Sequence, residues 1–160
     1  MPTLPQLIEE DVQRLDGTLR EFLAQTDATA ALVIDQGGFL IAHAGEDRQF
    51  DLTIIGALAS GAFMATQTIA GLVNEKNFNS IYQQGEKFSM FVINVDDHCM
   101  LVVIFLSKVG VGVVKFYAAM AVKQVARHLA AAKERSPGAG LDLSALNAAD
   151  PQEYFRKKAA

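Results

Sequence analysis

The sequence predicts an α/β protein of the mixed α+β kind, an antiparallel sheet of five strands with helices on both faces. Three observations carry this. Three long segments repeat apolar residues at helical spacing. Five short apolar runs lie between them, and the turns joining several of these are too tight for a parallel crossover. Two of the runs, residues 30–34 and, apart from its first residue His98, residues 98–106, are apolar at successive positions, so both faces of the sheet must be covered. The order is α-β-β-α-β-β-β-α. At 160 residues, 51% apolar and 20% charged, the chain suits one domain with a real core.

The first helix is read from Ile8, Val12, Leu15, Leu19 and Phe22, and ends near Asp27. Pro5 is placed near its first turn, and Glu9, Glu10 and Asp11 sit where a helix dipole favours acids. Residues 30–34 and 39–44 flank Asp35-Gln36-Gly37-Gly38 and read as a hairpin. Asp51 or Thr53 is placed to cap a second helix running to about Glu75. Residues 80–84, 87–95 and 98–106 are the remaining strands, the last two joined by Asp96-Asp97. The third helix, residues 111–133, has Val114, Ala118, Ala121, Val125 and Leu129 on one stripe, and Ser136-Pro137-Gly138-Ala139-Gly140 ends it. The tail holds a short helix over residues 151–157.

Composition excludes several classes of function. The net charge of −4 is wrong for a dedicated nucleic-acid binder. The single cysteine, Cys99, precludes an internal disulfide framework and fits a reducing compartment. The N-terminus lacks the basic start and apolar core of a signal peptide, and no run of ~18 uninterrupted apolar residues predicts a membrane span. A cytoplasmic protein is expected.

The middle helix is the unusual feature. Residues 52–74 contain no charge, and Gly56, Gly61 and Gly71 each cost about 1 kcal/mol relative to alanine. One face must pack on the sheet, and Ile55, Ala59, Ala62, Thr66, Ile69 and Val73 recur at the right spacing for it. A solvent face would carry Lys and Glu, so a second face is expected to meet another molecule. Ala57, Gly61, Met64, Thr68 and Leu72, flanked by Ser60 and Gly71, are the candidates. One helix, ~10 Å across, also cannot cover five strands ~4.8 Å apart, so a second copy is expected to complete the layer as a homodimer.

The first hairpin, Leu32-Val33-Ile34-Asp35-Gln36-Gly37-Gly38-Phe39-Leu40-Ile41, is followed by Ala44-Gly45, the small-residue helix and Leu101-Val102-Val103-Ile104-Phe105. In this order and spacing, and with the 136–140 segment, the chain resembles the roadblock family, and within it the bacterial MglB type. The resemblance implies a roadblock/profilin-like domain over residues 1–135 with a tail at 136–160. It implies homodimers whose sheets join edge to edge with the middle helices side by side. It further implies binding to a small Ras-like GTPase of the MglA type, stimulation of GTP hydrolysis, an influence on nucleotide exchange, and a role in bacterial cell polarity or motility signalling. The middle-helix candidates then divide between the dimer and the GTPase, and Tyr154 and Phe155 become a second docking point. Met64 and Thr68 are larger than the family's usual Ala or Gly, and the tail ends basic where the family's is acidic.

No catalytic residues, cofactor or metal are expected. The phosphate-cradling Gly-x-x-x-x-Gly-Lys-[Ser/Thr] loop, a nucleophile elbow and a Cys-x-x-Cys pair are all missing, and His43, His98 and His128 share no ligand spacing. The basic third helix (Lys115, Lys123, Arg127, Lys133, Arg135) is expected to meet the acids of the first helix. None of the six arginines lies on the middle helix, and Arg48, the nearest in sequence, reads as a solvated loop charge and not as an arginine finger. Activation by repositioning the GTPase's own catalytic groups is therefore expected. The alternative is a scaffold that links a GTPase to a sensor or motor complex without changing its turnover.

Overall fold

A computed structural model describes residues 5–135. The elements are α1 (Glu9–Thr26), β1 (Ala30–Asp35), β2 (Leu40–Gly45), α2 (Leu52–Leu72), β3 (Ser80–Gln83), β4 (Phe88–Asn94), β5 (Cys99–Leu106), a 3-10 turn (Ser107–Val109) and α3 (Val111–Arg135). The strands form one antiparallel sheet in the order β2-β1-β5-β4-β3. The predicted architecture stands, α-β-β-α-β-β-β-α. β1 is buried throughout and β5 at all but its last residue, as their two-sided apolar patterns require.

Helix α1 starts later than Pro5 implied. Ile8 is its N-cap, and the Asp11 carboxylate accepts the Ile8 N–H at 2.9 Å, so an acid in the first turn sets the boundary and Pro5 lies outside the helix. The helix ends at Asp27 in the left-handed region (φ 58°), whose N–H reaches the Leu23 carbonyl. In the β1–β2 turn the Asp35 carboxylate accepts the Phe39 N–H at 2.8 Å. Gly38 takes φ +87°, and a Cβ there would come within 2.8 Å of the Ala57 Cα. A glycine at this point lets the hairpin tip press against α2.

The helices divide as the strand patterns demanded. On one face, α1 and α3 bury Leu15, Leu19, Phe22, Val114, Ala118 and Val125 against Val33, Phe91, Leu101 and Phe105. On the other, Leu52, Ala59 and Phe63 of α2 meet Leu32, Ile34, Met100 and Val102. The expected meeting of opposite charges between α1 and α3 is realised at one point among the described residues. Arg135 grips buried Asp11 through both guanidinium nitrogens, at 3.1 and 2.5 Å. The other ion pairs, Arg14–Glu10 and Arg20–Asp16, lie within α1, because acids four residues from arginines are satisfied locally before they reach across.

Candidate partner-binding face

Helix α2 packs over β1, β2 and β5, leaving the β4–β3 half of that sheet face with little cover. Ile81, Phe88 and Met90 on this half are only partly buried. Asp51 caps the helix by accepting the Ile54 N–H at 3.1 Å. Gln67 ties down its second half: its amide donates to the Phe78 carbonyl (2.7 Å) and accepts the Phe78 N–H (3.2 Å). The helix is thereby anchored at its N-terminus and, through Gln67, to the segment that leads into β3.

The face turned to the sheet differs from the expected one. Leu52, Gly56, Ala59, Ser60, Phe63 and Ala70 are buried, while Ala62, Ile69 and Val73 face outward. Only Ala59 is buried from the expected inner stripe, with Ile55 and Thr66 half-buried. Ser60 is corrected too: it is 4% exposed, and its hydroxyl donates to the Gln36 carbonyl at 2.6 Å, so it belongs to the fold and not to an outer surface. A helix apolar on every side offers no polar contrast from which its rotation can be read.

Outward-facing are Ala57, Gly61, Met64, Thr68, Gly71 and Leu72. They lie together with Ile54, Leu58, Ile69 and Val73, and exposure reaches 69% at Leu58 and 79% at Leu72. Two flanks are distinct. Met64 and Gln67 lie beside Gln36, Asn79, Asn94 and Asp97 at the hairpin-tip end of the sheet. Ile55, Leu58, Ala62, Ile69 and Val73 share the opposite flank, where Ile55 joins Phe50, Phe88 and Met90 over the uncovered half-sheet. By length and composition alone α2 is also long and apolar enough to cross a bilayer, a test that core helices pass too. Here it forms one layer of the fold, with buried side chains seated on the sheet.

The three glycines separate by role. A Cβ on Gly56 would meet Ile34 Cγ2 at 3.0 Å, so close packing explains it. At Gly61 and Gly71 a Cβ would find nothing within 4 Å, and packing among the described residues explains neither.

Elsewhere the polar groups have structural partners. Asp96 accepts the N–H groups of His98 and Cys99 at 2.7 and 2.8 Å, which makes the acidic turn. Burial, with the charges of Asp96 and Asp35, pushes the Cys99 thiol up to about 12, so it is an inert core residue. Among the described residues no three His, Cys, Asp or Glu side chains cluster as metal ligands would. Arg48 is exposed in its loop. Tyr154 and Phe155 lie outside the described residues.

The Roadblock/LC7 domain family matches residues 14–105. An MglB solved in a tetrameric arrangement superposes with a TM-score of 0.77 at 29% identity, covering 82% of this chain and 99% of that one. The gliding protein MglB of Thermus thermophilus gives 0.74 at 30% identity, covering 81% and 98%. Myxococcus xanthus MglB gives 0.74 at 24% identity, covering 79% and 96%, a likeness of fold. No curated protein sequence matches.

Proposed function

The chain belongs to the Roadblock/LC7 domain family, and from that premise we propose that it is a homodimeric regulator of the MglB type. It binds a small Ras-like GTPase of the MglA type through the outer face of α2 and stimulates GTP hydrolysis. The observation that carries this is an uncharged helix of 21 residues, anchored through Asp51 and Gln67, with most of its apolar side chains facing outward. Contiguous apolar surface rimmed by polar residues marks an interaction site.

The two flanks support a division of labour. The Leu58–Ile69–Val73 flank adjoins the half-covered sheet and the edge strand β3, so a second copy placed there covers Ile81, Phe88 and Met90 and lengthens the sheet. The crest and the other flank, with Ala57, Gly61, Met64 and Thr68, remain for the GTPase. Open space at Gly61 and Gly71 suits the close approach of a partner backbone.

Such a surface has no acid, base or nucleophile to contribute. Activation therefore proceeds by selecting the GTPase conformation whose own groups are aligned for hydrolysis. A hundredfold rise in the aligned population requires about 2.7 kcal/mol of preferential binding, within reach of a few buried aliphatic contacts at ~25 cal/mol per Å².

The test is GTP turnover by a purified Ras-like GTPase encoded beside this chain, with and without the chain. Faster turnover, retained in Arg48→Ala, is expected. Binding with unchanged turnover would make the protein a scaffold, and a thousandfold loss in Arg48→Ala would make it a donor of an arginine finger.

A further inference from the structure

We propose that the free edge of β2 is a strand-addition site for this chain's own C-terminal segment, and that in the absence of a GTPase residues 154–158 (Tyr-Phe-Arg-Lys-Lys) occupy it in extended form, in place of the short helix expected over residues 151–157 and in competition with the docking that the family resemblance implies for Tyr154 and Phe155. Among the described residues β2 is the last strand of the sheet on its side, paired with β1 alone. Its outer backbone groups from Leu40 to Gly45 are open to pairing, and such an edge recruits another strand unless something covers it.

This edge has a cleft on each of its faces. On one side a groove of about 850 Å³ runs between the strand and α1, walled by Glu9, Val12, Asp16 and Ile41. On the other a groove of about 440 Å³ lies between the strand and the start of α2, walled by His43, Asp47, Phe50 and Asp51. Successive side chains of a strand point to opposite faces. An extended peptide added to β2 therefore drops alternate residues into one cleft and then the other. Main-chain bonds supply affinity in this mode, and the clefts choose the side chains.

Charge narrows the occupant. Asp16 and Arg20 neutralise each other at 2.8 Å, which leaves Glu9, Asp47 and Asp51 against Arg48 in the two clefts. The clefts call for an apolar peptide carrying cations. Among the residues after Arg135, one stretch meets both requirements. Tyr154 and Phe155 would present aromatic rings to both faces, and Arg156, Lys157 and Lys158 would present cations to both.

Reach is sufficient. Arg135, the end of α3, clasps Asp11 in the first turn of α1, next in sequence to groove residue Val12. The connecting residues 136–153 extend to roughly 60 Å, against roughly 20 Å for the edge itself. Closing so long a loop adds little entropic cost over a shorter one.

Hydrogen exchange of the full-length chain tests this. Amides of residues 40–45 should exchange at least tenfold more slowly in the natural chain than in the full-length variant Phe155→Asp/Lys157→Asp, with β3 amides unchanged. Asp47→Lys should lose the same protection, and Asp47→Lys combined with Lys157→Asp should recover it, which general destabilisation would not do. Equal β2 exchange in the natural chain and the tail variant would overturn the proposal. Protection that grows with protein concentration would also overturn it, since it would give the edge to a second copy.

Discussion

Gly61→Ala should make the isolated chain more stable while weakening its grip on partners. In a helix interior alanine is favoured over glycine by about 0.8–1.0 kcal/mol. Gly61 lies well inside α2, and its added methyl group would touch nothing within 4 Å. No packing penalty offsets the gain, so about 1 kcal/mol should appear as a rise in Tm of about 2–4 °C for a chain of this size. Gly56→Ala provides the internal contrast. It makes the same propensity gain, but its methyl meets Ile34 Cγ2 at 3.0 Å in a buried strand, and overpacking costs about 1–3 kcal/mol. Its net effect should be zero to moderately destabilising. Urea unfolding followed by circular dichroism, at one dilute protein concentration, compares the two. GTPase binding measured on the same samples supplies the second readout. A Gly61→Ala chain that is no more stable would refute the claim that the fold has no need of this glycine. One that is more stable and binds partners undiminished would remove Gly61 from the interface.

Leu58→Glu should reduce the solution mass measured by light scattering from two copies to one, and an unchanged mass would move the dimer contact off that flank. Asp51→Ala should lower stability by about 1 kcal/mol through loss of the bond to the Ile54 N–H, read as a lower urea midpoint at unchanged slope. Acid unfolding should weaken the fold in two stages. Burial between the helices, then the nearby Arg14 charge, holds the His128 ring below its ordinary range, so stability falls once pH drops below ~6.5, where the unfolded chain takes up the proton first. The hydrogen bond from Arg135 holds Asp11 below the usual carboxylate range, so its contribution persists to ~pH 4 and is lost as pH falls towards its folded value. His128→Gln should remove the first stage and Asp11→Asn the second in urea titrations across pH.

Legibility in the sequence followed contrast. The inner stripe of α3, Val114, Ala118, Ala121, Val125 and Leu129, is buried as expected, because Lys115, Lys123 and Arg127 mark the outside. β1 and β5 were equally plain, since an unbroken apolar run has one interpretation in a sheet. The rotation of α2 was not legible. With apolar residues on all sides, two phases fit its pattern equally well, and contacts distant in sequence decided between them. Phe63 reaches the sheet core, and Ser60 finds the Gln36 carbonyl across the hairpin tip. That α2 has an apolar outer face was thus readable from missing charge, whereas Ser60's place in the fold depended on tertiary geometry. The clefts beside β2 left no local signal, because their walls come from α1, β2 and the α2 entry loop together.

The pairing of β1 with β5 has a consequence for how the protein comes apart. Every other strand pair joins neighbours in the chain, but here Ala30 lies opposite Ile104 and Asp35 opposite Cys99, roughly 70 residues apart. The N-terminal half, α1-β1-β2, and the C-terminal half, β3-β4-β5-α3, meet along this seam. The same seam is crossed between the helices by Arg135 to Asp11 and by His128 to Thr18. Opening it breaks a central ladder, both hydrophobic layers and the helix pair at once. The two halves therefore cannot loosen independently, and amides along the seam report global unfolding, even though each half is assembled from short-range hairpins that form early.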